Sequence, residues 1–207
     1  MALSGLFLVL FLTQHFVINV MSVLAPEIFN DWSHFMGYNG LVQYILQPIL
    51  IGGVVLHFVV GFVLQYQNHK ARPISYVKYN GNANSTWVSR NMLITGAVVL
   101  AFIGLHMYDF WWHEMSYKYI DGTAPAPDRY HEETVAKFAD IWRVVLYVIA
   151  FILLAMHLFH GFKSSFQSMG VANKYQRSIR RITEIWAIAI PAGFIFIAIY
   201  HHFNQLS

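Results

Sequence analysis

The sequence predicts an all-α fold, an integral membrane bundle of five transmembrane helices. Three observations predict it. Of the 207 residues, 57% are hydrophobic and only 11% are charged, whereas a soluble domain carries about 25% charged residues. Most of the charges lie between five long apolar stretches. Each stretch approaches the roughly 20 apolar residues that cross a hydrocarbon core about 30 Å thick. The spans fall at about 3–25, 41–66, 88–112, 141–162 and 182–203, in a single transmembrane domain covering residues 1–207. With no water to satisfy backbone groups at that depth, each span must be a helix.

Span I has no Lys or Arg before it, so it lacks the basic start of a signal peptide. Val23-Leu24-Ala25 loosely resembles a cleavage site, but Pro26 follows, and the segment is read as a retained span. Spans II and V contain Pro48 and Pro191, which neighbouring helices make tolerable. Tyr108, Trp111 and Trp112 end span III and Trp142 opens span IV, forming the aromatic belt of a membrane interface. Residues 81–86 (GNANST) and 122–128 (GTAPAPD) read as exposed loops. There is no long repeat and no low-complexity segment.

Charge sets the expected topology. The II–III connection holds Lys70, Arg72, Lys78 and Arg90, and the IV–V connection holds Lys163, Lys174, Arg177, Arg180 and Arg181. The I–II connection has only Glu27 and Asp31. In the III–IV connection, Lys118, Arg129 and Lys137 are outnumbered by Glu114, Asp121, Asp128, Glu132, Glu133 and Asp140. The positive-inside rule places the II–III and IV–V loops in the cytoplasm, with the N-terminus inside and the C-terminus outside. The same basic loops would serve equally as a docking face. The chain has no cysteine, which excludes disulfides, thiolate catalysis and a cysteine-held iron–sulfur cluster within it.

Four of the eleven histidines lie deep in spans: His15 in I, His57 in II, His106 in III and His157 in IV. Ionisable groups at membrane depth are costly and mark function, although a single such histidine can equally serve a helix–helix hydrogen bond. Depths counted from the loops at 1.5 Å per residue put His15 and His106 about 16 and 12 Å from the outer side, and His57 and His157 about 15 and 9 Å from the inner side. Two imidazoles facing each other across a bundle core can be the axial ligands of one haem. The bundle is thus expected to enclose two stacked haem groups.

His57 and His157 each have glycine four residues on, at Gly61 and Gly161. That position shares the histidine's helix face and would let a macrocycle edge approach the backbone. Close packing of small residues gives the same pattern. His160 competes with His157 as ligand or serves it as a hydrogen-bonding neighbour. Arg90, Arg180 and Arg181 are candidates for the propionates of the inner haem and Arg143 for those of the outer one. His69, His113, His131, His201 and His202 fall in loops or at span ends, and most of them are expected to be solvated or interfacial. Zinc or iron held by histidine and carboxylate fits less well, because carboxylates such as Asp109 and Glu184 stand only at span edges. A proton-coupled transporter would show carboxylates or broken helices at mid-depth. No phosphate-binding loop or nucleophile motif is present.

The flanks of these histidines carry a resemblance. They are the run from Gly5 to His15, His57-x-x-x-Gly61 with Asn68-x-x-Ala71-Arg72-Pro73 and Tyr76, Ser85-Thr86-Trp87 with Thr95-Gly96 and His106-Met107-Tyr108, and His157-x-x-x-Gly161 with Gly170. Over nearly the whole chain the pattern resembles the five-helix, dihaem cytochrome b membrane anchors of succinate:quinone oxidoreductases and fumarate reductases. The resemblance implies two haems b, with His15 and His106 as iron ligands of the outer one and His57 and His157 of the inner. It implies a flavoprotein subunit and an iron–sulfur subunit as partners, and a quinone (menaquinone or ubiquinone) as the membrane substrate. It implies a place in membrane lipid of the prokaryotic inner (cytoplasmic) membrane, no nucleic acid, and no catalytic residue for succinate in this chain. Some members use an acidic residue near the outer end of helix II, which has no clear counterpart here. Asp31, His34, Gln43 and Tyr44 are the candidates for a quinone carbonyl. The rival readings are a dihaem anchor of a hydrogenase or formate dehydrogenase, and a haem-free anchor or transporter.

Overall fold

The computed structural model describes residues 1–71, 91–171 and 176–204. Five helices in it are long and apolar enough to cross a membrane. They are α1 (Ala2–Leu24), α3 (Val42–Lys70), α4 (Met92–Ile120), α6 (Ile141–Ser168) and α7 (Gln176–Asn204). Two short helices, α2 (Pro26–Tyr38) and α5 (Arg129–Lys137), connect spans at one end of the bundle. No strand occurs among the described residues, and the fold is a five-helix membrane bundle.

Local chemistry sets the helix ends. Pro26 stands at the first turn of α2, where its missing N–H costs nothing. The Asn39 side chain accepts the backbone N–H groups of Leu41 and Val42, at 3.0 and 3.2 Å, and so starts the next helix. Asp140 caps α6 by accepting from the Trp142 N–H at 3.0 Å. Gly170, at φ +74°, follows α6 in the left-handed conformation that glycine adopts at helix ends. The loop at 122–128 is mostly exposed, as expected, whereas 81–86 lies outside the described residues.

The segments expected as loops between spans I and II and between III and IV contain α2 and α5. The two helices are tied together by Asn30, which donates to the Asp128 carbonyl at 3.0 Å and accepts from the His131 N–H at 2.7 Å. α4 continues to Ile120 because its polar residues there are paired. Glu114 and Lys118 form an i,i+4 ion pair at 2.7 Å. π-helical turns at Met107–Trp112 and Ser116–Ile120 widen this part of the helix.

The core lies among α1, α6 and α7. Val144, Tyr147 and Phe151 of α6 meet Ile190, Phe194 and Ile197 of α7, with Leu12 and Phe16 of α1 against them. Ala187 and Ala198 are fully buried, as small residues are where membrane helices approach closely. From Gln47 to Lys70, α3 buries none of its residues. A Cβ at Gly193 would stand 2.3 Å from Cε2 of Phe16, whose ring packs on Phe194 at 5.3 Å. Gly193→Ala is therefore expected to displace Phe16 and destabilise the bundle by about 1–3 kcal/mol, read as a lower unfolding temperature of the detergent-extracted protein.

Candidate functional site

Four spans each contribute one histidine, and the structure brings them together in two pairs. The rings of His15 (α1) and His106 (α4) have centroids 5.6 Å apart with planes at 75°. Those of His57 (α3) and His157 (α6) are 6.5 Å apart at 74°. His15 lies ten residues beyond Gly5, which touches His57. The two pairs are therefore separated by about 15 Å along the helix axis.

The pair nearer α2 and α5 is lined by aromatic rings. Phe11 stacks on His15 at 5.5 Å and Phe194 lies 5.7 Å away, while Phe102 and Phe110 stand 6.0 and 5.2 Å from His106. Asn19 is beside His15, its amide nitrogen 3.3 Å from Nδ1.

The other pair is held by two matching sets of residues. Ser4 donates to the Met1 carbonyl at 2.9 Å and lies 3.1 Å from Nδ1 of His57. Thr95 donates to the Met92 carbonyl at 3.0 Å and lies 3.4 Å from Nδ1 of His157. Gly5 and Gly96 follow them, and a Cβ there would stand 3.5 Å from Cε1 of His57 and 3.3 Å from Cε1 of His157. The glycines four residues after each histidine, Gly61 and Gly161, face the methyl ends of Met1 and Met92.

An iron held by two imidazoles sets their ring centres about 6 Å apart, given metal–imidazole bonds of about 2 Å. The two observed spacings lie on either side of that value. Among the described residues there is no group of three or more His, Asp or Glu that could hold a metal ion. Two facing imidazoles fit a metal whose remaining ligands belong to a macrocycle. On donor type, number and spacing, both pairs fit haem.

The other candidates are dispersed. His160 is half-buried and makes no ring contact with another histidine, whereas His157 does. Arg143 places Nη1 3.4 Å from Oδ1 of Asp109. Arg180 donates to Glu184 at 2.8 Å, and Arg181 is exposed beside it. Arg90 lies outside the described residues. Asp31 and Tyr44 are exposed, and Gln43 donates to the Tyr119 hydroxyl at 2.8 Å. His34 stacks on Tyr38 at 4.5 Å. These four do not form one cluster. His201 stands at a span end, as expected, but unlike the solvated or interfacial residues expected there it is 1% exposed, its Nε2 2.8 Å from the Ser22 hydroxyl.

Sequence reasoning missed a polar network at the α2–α5 end. Glu114 of α4 accepts from Lys118, Arg129 and Tyr130. Lys118 also donates to the Gly37 carbonyl, and Arg129 pairs with Glu133 at 2.7 Å. Burial, then the Glu114 carboxylate, push the phenols of Tyr38 and Tyr130 up, so both stay protonated. Burial opposes the Arg129 charge, but Glu133 and Glu114 outweigh it and raise its pKa. Nδ1 of His34 is buried here without a hydrogen-bond partner among the described residues, and the hydroxyl of Tyr38 is buried beside the Arg129 guanidinium. Separately, an apolar groove of about 550 Å³ runs between α1 and α2, lined by Leu10, Gln14, Val17, Trp32 and Phe35. The signal for this network was the run of charges from Glu114 to Glu133, which sequence alone could not tell from a solvated loop.

No curated protein and no solved structure matches the chain. One family model does, over residues 68–198, from the end of α3 through most of α7. The matched region contains His106 and His157, and the structure pairs each with a histidine of the unmatched N-terminal spans. The chain belongs to the succinate dehydrogenase/fumarate reductase transmembrane subunit family, the cytochrome b subunits of those complexes.

Proposed function

We propose that the chain is a dihaem cytochrome b anchor that passes electrons between an iron–sulfur subunit and membrane quinone. One observation carries the reading: four spans supply two imidazole pairs, 5.6 and 6.5 Å between ring centres, at two depths of one bundle. His57 and His157 hold the inner haem b, and His15 and His106 the outer. Each bound haem supplies one-electron carriage. The protein's part is to hold both groups in line and keep water from them.

The α2–α5 end is the outer one. It carries Glu27, Asp31, Glu132 and Glu133, while Lys70, Lys163, Arg177, Arg180 and Arg181 lie at the other end, which by the positive-inside rule faces the cytoplasm of a prokaryotic inner membrane. The N-terminus is then cytoplasmic and the C-terminus outside. The basic inner end receives the iron–sulfur subunit, with the flavoprotein beyond it. Arg180 and Arg181 serve there in docking or near the inner haem's propionates.

The quinone, menaquinone or ubiquinone, enters from lipid through the groove between α1 and α2. His34 and Tyr38, which face Tyr130 and Lys118 rather than line the groove, are the candidates to bond its head group, and the buried Nδ1 of His34 has no hydrogen-bond partner among the described residues. Unpaired buried polar groups are uncommon and ask for a ligand or water. Asp31, Gln43 and Tyr44 are weaker candidates, since exposure or an existing bond accounts for them.

The test is to purify the chain with its natural partners and add succinate. Co-purification of a flavoprotein and an iron–sulfur protein, with succinate-dependent reduction of haem b absorbance, is expected. Haem-bearing chain that co-purifies with a hydrogenase or formate dehydrogenase instead would overturn the assignment of partner and substrate.

A further inference from the structure

The inner imidazole pair is held by a repeated device. α1 opens Met1-x-x-Ser4-Gly5 and α4 opens Met92-x-x-Thr95-Gly96. Each opening packs against a helix bearing His-x-x-x-Gly, α3 for the first and α6 for the second. In both places the hydroxyl meets Nδ1, the next glycine meets Cε1, and the methionine tip meets the glycine four residues after the histidine. The outer histidines share the register: Gly5 stands ten residues before His15, and Gly96 ten before His106. Each iron pair thus joins equivalent residues of two helix pairs, α1–α3 and α4–α6.

The hydroxyls have a definite electronic effect. A serine or threonine hydroxyl has one proton, and here each is spent on a backbone carbonyl, of Met1 or of Met92. Toward the imidazole each oxygen can then only accept. With the hydroxyl proton on the carbonyl, Nδ1 carries the ring proton, which leaves the Nε2 lone pair for a metal. Partners of this kind fix the tautomer and rotation of a ligating histidine and raise its basicity. Among the described residues, no hydroxyl meets Nδ1 of the outer ligands. His15 has the Asn19 amide nitrogen there instead.

We propose that Ser4-Gly5 and Thr95-Gly96 are positioning pairs that hold His57 and His157 as Nε2 ligands and thereby set the potential of the inner haem. The proposal rests on the dihaem reading above. A more basic ligand favours ferric iron, so losing either acceptor raises the inner potential. The glycines differ in strictness. A Cβ at Gly96 would press on His157 at 3.3 Å, whereas one at Gly5 would meet His57 at an ordinary 3.5 Å.

The experiment is a potentiometric titration of the purified complex, following both haems by absorbance and by electron paramagnetic resonance. Ser4→Ala and Thr95→Val are compared with Ser4→Thr and Thr95→Ser, which keep a hydroxyl, and Gly96→Ala with Gly5→Ala. The expected result is an upward shift of the inner haem's midpoint, with its ferric g-values moved, in Ser4→Ala and Thr95→Val. The outer haem and the hydroxyl-keeping variants should match the parent. Gly96→Ala should perturb the inner signal and Gly5→Ala should not. Unmoved inner midpoints, or equal shifts of both haems, would overturn the proposal while leaving the dihaem reading intact. A parent complex without an inner haem would overturn that reading, and this proposal with it.

Discussion

Replacing His157 or His57 with alanine should reduce the haem content from two per chain to one, with the outer haem still present spectroscopically. Replacing His15 or His106 should remove the outer haem and leave the inner. The expectation follows from the pairing, 5.6 Å for His15 with His106 and 6.5 Å for His57 with His157. An iron deprived of one of its two protein ligands keeps only half of its anchorage. Because α3 buries none of its residues from Gln47 to Lys70, His57→Ala should also loosen that helix, read as faster proteolysis at its ends. Loss of the same haem from His15 and His57 variants would contradict the pairing.

The second large effect belongs to Asp109. Its side chain is fully buried, one helical turn beyond His106, in the π-helical turn Met107–Trp112. Tyr147, also buried, donates to Oδ2 at 2.9 Å, and Arg143 approaches Oδ1 at 3.4 Å. Asp109→Leu would leave a buried hydroxyl and a mostly buried guanidinium without their partner. Breaking a buried pair in this way costs roughly 3–5 kcal/mol, which lowers the unfolding temperature by on the order of 10 °C in a chain of this size. Asp109→Asn keeps an acceptor for Tyr147 and should cost less. Thermal unfolding of the detergent-extracted complex measures both, and an unchanged midpoint for Asp109→Leu would show that the pair contributes little.

The five spans and the partner of each deep histidine were legible because both follow from simple geometry. Length and apolarity define a span, and a fixed rise per residue converts position into depth. α2 and α5 were not legible. Nothing in the local sequence of Arg129–Lys137 distinguishes a charged helix from a charged loop. What holds it is Asn30 on α2, and Glu114 on α4 reaching Arg129. The same ion pairs let α4 continue past its aromatic belt to Ile120, where sequence reasoning placed the charged III–IV connection. The repeated Met-x-x-Ser/Thr-Gly opening is visible in the sequence, but it is too short to stand out until α1 is seen on α3 and α4 on α6. The quinone candidates scattered for a related reason. Asp31, His34, Gln43 and Tyr44 are close in sequence, yet Gln43 and Tyr44 turn to Tyr119, His34 to Tyr38, and Asp31 to the exposed surface.

The most direct test of the central claim is a pyridine haemochrome count on the intact, purified complex. The two imidazole pairs predict a value near two haem b per chain. A value near one would mean that one pair holds no iron. A value of zero would contradict the cytochrome reading and leave the four histidines as helix-packing or proton-carrying groups.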